Sequence, residues 1–501
     1  MILNEIVSLT LLVALLASVA LDVAHRTSVA IGIAILSIVL GSILGFYGPG
    51  LALAAVNFST LVFLVAMGIF MAIMQRSGAF DWVSQTLVLK SRMQPHLLIS
   101  RILLLSYTIS LFVNNVTVVM ILVPITLSIC RQFDMNPVPL TVAQVVVINL
   151  GGASTMVGDF PNIIIATSVP TLTFMDFMTN MLPMCFALVI VTIMVLRRMH
   201  PEYFVRFEPG PAARAFAADL AERREKAITD KPLLIASVVV LSGMLLGFVV
   251  AAQLRIPLLL IPAAGAGIIL MVFELRLRAK YRSDATMDKV IRKNVVGDDI
   301  SKVLAEVHWD VVLFLAALFI VVGSLEAANV LHYATDFITN TSQGNLVLAA
   351  LLIVVIASLI TLSAEAGPAT AVLVPVIKGL GGLGSGGMLY WALSFGVQAG
   401  SSTTMIGANE GPLAARMIEQ DARMHDSPNR LDARGFTRIG GRMWIVMVPL
   451  SILYLTGVIL IGSTVSLAAF VIALGIALWI AGRGLGAKPR GTAVSVASPS
   501  R

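Results

Sequence analysis

The chain has 501 residues, of which 58% are hydrophobic and only 12% charged. A soluble globular chain has an apolar share nearer ~45–50%, so the composition excludes a water-soluble enzyme or binding module and defines an all-α polytopic membrane protein. The net charge of +7 implies no nucleic-acid partner, because the Lys and Arg residues sit between apolar runs, where they set orientation in the bilayer.

Apolar runs long enough to cross a bilayer core as helix fall at about 5 to 22, 28 to 46, 52 to 74, 174 to 196, 231 to 252, 257 to 274, 308 to 330, 442 to 462 and 465 to 482. The first run lacks a basic leader and a small-residue cleavage site, so it is read as a span rather than a signal peptide. Interrupted apolar segments lie between these runs. The two cysteines, Cys130 and Cys185, show no metal-ligand spacing and read as buried small hydrophobes.

Basic residues sort the connections. Arg76, Lys90, Arg92 and Arg101 cluster, and the stretches 197 to 231 and 275 to 306 are rich in Lys and Arg, whereas 331 to 345 has none. The basic stretches are therefore expected on the cytoplasmic side and 331 to 345 outside. The same rule puts the N-terminus outside and the C-terminus in the cytoplasm. The tail after Arg483 is polar, rich in small residues and expected to be disordered.

Three blocks of sequence recur. NFSTLVFLVAMGIF at 57 lies against HWDVVLFLAALFIV at 308 (308 − 57 = 251), and LFVNNVTVVMILVPI at 111 against LSAEAGPATAVLVPVI at 362 (362 − 111 = 251). GGASTMVGDFPN at 151 lies against GSSTTMIGANEG at 400, with Gly158 opposite Gly407 (407 − 158 = 249). The connection after the first block is basic and that after its counterpart is not, so the copies are expected to be inverted relative to each other. The expected organisation is repeat 1 at 1–230, repeat 2 at 231–464, and an extra span with the tail at 465–501. About eleven crossings result, two of them broken (137 to 171 and 389 to 415), together with two re-entrant hairpins (102 to 131 and 346 to 377).

The breaks place polar groups inside apolar runs. Such breaks are tolerated in hydrocarbon where they are buried in protein or line a polar cavity. The first copy supplies Asn114, Asn115, Thr117, Ser154, Thr155, Asp159 and Asn162; the second supplies Ser363, Glu365, Thr370, Ser402, Thr403, Thr404 and Asn409. Gly152, Gly158, Gly400 and Gly407 let the backbone approach an ion closely. Side-chain and carbonyl oxygens are hard ligands for a sodium ion, which is assigned to Asn115, Gly158, Ala366 and Gly407. Half-helix N-termini at the breaks attract anions. No organic or metal cofactor is expected beyond Na+ or H+ as coupling ion.

NNVTVVMILVP followed by GGASTMVGDFPN resembles the hairpin-tip and broken-helix signatures of the ion transporter superfamily, near its arsenite-permease, sodium/proton antiporter and divalent-anion (citrate and dicarboxylate) branches. The resemblance implies a secondary transporter, commonly a homodimer, with a scaffold and a moving part that carries the hairpins. Two departures keep the substrate open. Asn114 stands where the antiporter and arsenite branches have an aspartate, and the dicarboxylate branch's Ser-Asn-Thr triplet is absent from both hairpins.

The acids divide. Glu365 at a hairpin tip and Asp159 are the expected ion-handling groups, with an ion pair as the alternative for Glu365 and a helix cap as the alternative for Asp159. Glu410 is expected at the cytoplasmic mouth and Glu326 at an exposed helix end. His308 and Trp309 are expected at the interface. In this alignment Asp159 faces the neutral Ala408, and neutral Asn114 faces Glu365. The expected activity is transport rather than catalysis: a sodium- or proton-coupled carrier of a small anion in the inner (plasma) membrane, in contact with lipid, or else a sodium/proton antiporter. A channel or a non-transporting scaffold is the remote alternative.

Overall fold

The computed structural model describes residues 2–21, 24–91, 94–204, 211–282, 289–381, 387–425 and 428–462. Four helices open the chain: α1 (Ile2–Ala20), α2 (Arg26–Ile43), the short α3 (Pro49–Ala55) and α4 (Phe58–Arg76). Next come α5 (Ala79–Lys90), a hairpin of α6 (Pro95–Ser110) and α7 (Asn115–Gln132), an interrupted pair α8 (Pro137–Ser154) and α9 (Phe160–Ser168), and α10 (Phe174–Asn180) with α11 (Leu182–Met199). The chain passes through α12 (Pro211–Ala227) into α13 (Lys231–Leu254), α14 (Leu260–Arg282), α15 (Lys289–Ala305), α16 (Trp309–Ala327) and α17 (Leu331–Ser342). A second hairpin, α18 (Leu346–Thr361) and α19 (Ala366–Gly379), precedes a second interrupted pair, α20 (Met388–Ser401) and α21 (Gly411–Met424), and then α22 (Ala433–Ile461).

Among the described residues ten helices are long and apolar enough to cross a membrane, α10 and α11 counting as one. The expected span at 465 to 482 and the tail lie outside the described residues. On α13, Ile235, Val239, Leu246 and Val250 are exposed at spacings that share one face of a helix, a lipid-facing stripe rather than a defect.

Two connections read from charge alone as loops contain helices. The stretch 75 to 101 holds α5 and the start of α6, and 331 to 345 holds α17, which packs against both arms of the second hairpin. The charge count located these stretches on a face of the membrane but did not bear on their local structure. The first hairpin consequently begins at Pro95, where proline at the first helical turn loses no hydrogen bond.

Element starts recur at the spacing seen in the sequence. α4 and α16 start 251 residues apart (309 − 58), α6 and α18 likewise (346 − 95), α7 and α19 (366 − 115), and α9 and α21 (411 − 160). Packing sorts the helices differently from the chain order. One group joins α1, α2, α3 and α16, with α4, α13 and α14 beside them; another gathers α6, α7 and α11 around α8, and α18, α19 and α22 around α20. Each group draws on both halves of the chain. The groups meet where α4 touches α9 and where α16 touches α19. α8 is the most enclosed element, buried almost throughout, so the first break lies in the protein interior rather than against lipid.

Candidate functional site

The two hairpin tips are built alike. Val113 N donates to Ile109 O at 3.0 Å, and Ala364 N to Ile360 O at 3.0 Å, closing each first arm before the second starts. Asn114 then caps α7 by accepting from Val116 N at 2.9 Å. The equivalent Glu365 makes no capping bond with its side chain.

Each break is tied to its hairpin tip by one threonine. Thr155 Oγ1 donates to Leu111 O at 2.5 Å and accepts from Gly158 N at 3.1 Å; Thr404 Oγ1 donates to Leu362 O at 2.8 Å and accepts from Gly407 N at 3.0 Å. These hydroxyls hold backbone groups of the breaks and the hairpin tips. Thr155→Val and Thr404→Val are each expected to cost about 1–3 kcal/mol, the penalty for orphaning buried polar groups, and to lower the unfolding temperature of detergent-purified protein to a similar extent. A loss confined to one of them would show that the two latches are not equivalent.

Glycine is required where the breaks touch the hairpins. A Cβ on Gly152 would lie 2.6 Å from Asn115 Oδ1 and 2.9 Å from Asp159 Cβ, and one on Gly158 would lie 2.6 Å from Ser110 O. Gly400 meets Thr361 Oγ1 and Ser358 O, and Gly407 meets Thr361 O, in the same way.

The polar residues around the first break are joined by hydrogen bonds. Asn115 accepts from Ser110 Oγ at 2.7 Å and donates to Asn149 Oδ1 at 3.0 Å. Asn162 donates to Ala153 O and Thr155 O, both at 2.8 Å, and accepts from Ser394 Oγ of α20 at 2.7 Å, tying the first break to α20. Ser154 bonds to the Tyr107 hydroxyl at 2.9 Å. In the second copy Thr370 bonds to Ala366 O of its own helix and Thr403, in the break, to Ala399 O of α20, Ser402 accepts from Gln398 Nε2 at 3.4 Å, and Ser363 is exposed. Ala366 is the first residue of α19.

The acids differ from expectation in two respects. Asp159 caps α9, accepting from Phe160 N at 2.9 Å, and is 6% exposed. Its structural counterpart is Glu410, not Ala408: each occupies the position before its half-helix, and 410 − 159 = 251. The second break has two extra residues, Ala408 and Asn409, between its glycine and its acid. An alignment anchored on glycine therefore slipped by two, and the asymmetry expected between Asp159 and Ala408 does not exist. Nor does Glu410 face a mouth. It is 1% exposed, and its Oε1 and the Asn409 Oδ1 are buried without a hydrogen-bond partner among the described residues.

Glu365 takes the ion-pair alternative. Both of its oxygens accept from Arg26 Nη1, at 2.8 and 2.9 Å, while Arg26 Nη2 reaches Asp310 at 3.1 Å. Arg26 stands at the start of α2 and Asp310 in the first turn of α16, so this triad clamps the second hairpin tip to the other helix group. Neither Arg26 nor Asp310 carries a local sequence signal of the pairing. Glu326 is exposed at the end of α16, as expected.

A cavity of about 240 Å³ lies between the groups. It is lined by Met67, Met71 and Gln75 of α4, by Phe112, Asn114 and Thr117 at the first hairpin tip, by Gly158, Asp159 and Phe160 at the first break, and by Glu306, His308 and Val311 at α16. No Lys or Arg lines it. It thus gathers Asn114, Thr117, Gly158 and Asp159 but none of the candidates of the second copy. His308, expected at the interface, faces this cavity, while Trp309 is 45% exposed. Toward the basic connections the cavity ends at Glu306, which pairs with Arg76 at 2.5 Å. At the other end of α4 the groups are sealed, Thr60 bonding Thr167 at 2.6 Å and Asn57 bonding Ser168 at 3.0 Å.

Helical hairpins and interrupted helices within apolar helices, with a small, mostly apolar cavity carrying a few polar groups at the first hairpin tip and first break, fit a multi-pass membrane transporter. The chain belongs to the citrate transporter family, whose model matches residues 12–396. Among curated proteins it is similar to the magnetosome protein MamN of Magnetospirillum gryphiswaldense, 30% identical over 77% of this chain and 82% of that one. It is likewise 30% identical to an uncharacterized transporter of Mycobacterium tuberculosis, over 90% of this chain and 98% of that one. Among solved structures, the YdaH transporter of Alcanivorax borkumensis shares the fold with a TM-score of 0.55 at 14% identity, over 87% of this chain and 98% of that chain.

Proposed function

We propose that this protein is a secondary active transporter that moves a small anion, a carboxylate or oxyanion, coupled to Na+ or H+ by alternating access between the two faces of the inner membrane. One observation carries the reading. Four half-helix starts, those of α7, α9, α19 and α21, fall at the two hairpin tips and two breaks, and the cavity that the first two, α7 and α9, adjoin has no basic side chain. Helix N-termini supply positive potential for an anion, and a bound cation would supply the rest. The family description names citrate, which makes citrate the first ligand to try. The seal of α4 on α9, opposite a cavity that ends at Glu306, supports a state open toward the basic connections. A homodimer in contact with lipid, N-terminus outside, is the working arrangement.

A second reading, sodium/proton antiport, is favoured by two buried acids, Asp159 and Glu410, at the starts of equivalent half-helices. Thermal unfolding of purified protein with citrate, succinate or phosphate, in NaCl or in choline chloride across pH, tests the first reading. A ligand at 100 times its Kd adds about 2.7 kcal/mol of apparent stability. Stabilisation by an anion that depends on Na+ or acidity is the expected result; stabilisation by Na+ with no effect of any anion favours antiport. For orientation, a cysteine at the exposed Gln343 should react with an impermeant reagent added outside intact cells, and protection there would reverse the assignment.

A further inference from the structure

We infer that a second cavity, at the start of α4, is an anion-capture site in which the Arg255 guanidinium holds a small carboxylate or oxyanion. Its place on a transport route rests on the reading above; the binding itself does not. The cavity, about 490 Å³, lies between Ser59 of α4, the stretch from Thr167 to Phe174 that follows α9, and the end of α13 with Pro257 to Leu259. It opens on the face opposite the basic connections, since α13 starts at Lys231, beside the Lys- and Arg-rich stretch 197 to 231, and crosses to Leu254.

Arg255 is the one charged side chain among the residues that line this cavity. It is exposed, and its guanidinium has no hydrogen-bond or ion-pair partner among the described residues. The hydroxyls of Ser59 and Thr171, also in the lining, have none either. A guanidinium beside free hydroxyl donors, with no acid competing for it, is a donor set for a carboxylate or phosphate. Position 255 is the C-cap of α13, with φ 53° and ψ 36°, a left-handed backbone where glycine is usual. The capping bond runs from the Arg255 peptide N–H to Ala251 O. Glycine would make the same bond, so the turn itself does not call for this side chain.

The two cavities follow one another along α9. Ile163 lines the inner one and Thr167 the outer one, a separation of about one helical turn. On α4 the same step runs from Leu64 to Ser59. The partition is the seal already described, Thr60 on Thr167 and Asn57 on Ser168, and Thr167 belongs to both seal and outer cavity. An anion held at Arg255 therefore waits at the partition that alternating access would open.

The test uses the full-length protein in detergent carrying Thr171→Cys, with little background because both native cysteines are buried. Modification of the new thiol by uncharged N-ethylmaleimide is timed in citrate, succinate or phosphate against chloride of equal ionic strength. At least one of the three anions should slow the reaction. Arg255→Gln should raise the protecting concentration about fivefold or more, and Arg255→Lys, which keeps the charge, should restore part of the protection. A guanidinium that only complements the negative end of α13 would lower the melting temperature when replaced and leave protection as it was. That result, or no protection by any of the three anions, overturns the inference. Because no transport enters the readout, protection without uptake in vesicles would count against the transport reading alone.

Discussion

Arg26→Met is expected to destabilise the protein by about 3 kcal/mol, the lower edge of the range for breaking a buried ion pair by removing one partner. The lower edge applies because the Arg26 side chain keeps 26% of its surface exposed, against 14% for Glu365. The loss arises from stranding Glu365 at the hairpin tip and Asp310 at the start of α16, and from removing the guanidinium 5.7 Å from the Phe314 ring centroid. Methionine retains most of the aliphatic stem, so packing between α2 and α16 persists. Adding Glu365→Gln should recover more than half the loss, since the stranded charge is then gone. Thermal unfolding of the two single variants and the double variant measures the coupling; additive losses would mean that the pair does not hold the tip. Under the proposed alternating-access cycle, uptake should fall more than tenfold in Arg26→Met, because the clamp joins the two helix groups that such a cycle would move against each other.

Gly158→Val should abolish transport and cost at least ~1–3 kcal/mol, the range for overpacking a close-packed interior. The obstruction is backbone: Ser110 O at 2.6 Å and Gly152 Cα and O at 2.8 Å from the added Cβ. Neither can yield without moving the hairpin arm or the break, and Asp159 is the next residue. Gly243→Ala on α13 is the control. Nothing lies within 4 Å of its Cβ, and alanine in a helix interior is favoured over glycine by about 1 kcal/mol, so that variant should be unchanged or slightly more stable. Equal damage from both substitutions would mean that glycine acts through chain flexibility and not through close approach.

The fold was legible because its signals are local and repeated. Apolar runs located the long helices, and the interruptions at Asn114 and at Gly151 to Asn162 located the first hairpin tip and the first break. Relations between distant segments were not legible. Arg26 lies 284 residues from Asp310 and 339 from Glu365, and nothing around it differs from any basic residue near a helix start. Glycine spacing pairs Asp159 with Ala408, whereas the half-helices pair it with Glu410: α9 and α21 start 251 residues apart. Thr155 and Thr404 were recognised as a pair, but their hydroxyls turn to backbone at Leu111 and Leu362, a direction no sequence pattern encodes. The empty space was also illegible. Met67, Met71 and His308 line the cavity only because α4 and α16 face the first hairpin across it.

Solute uptake by the purified protein in sealed vesicles tests the central claim, coupled transport by alternating access, most directly. Labelled citrate should accumulate above its external concentration only while an inward Na+ or proton gradient is imposed. Unlabelled citrate preloaded inside should drive transient counterflow of the label when no gradient is present, as a carrier with one alternating site requires. Citrate, succinate and phosphate that merely equilibrate, at a rate indifferent to both gradients and without counterflow, would contradict the account and indicate a channel.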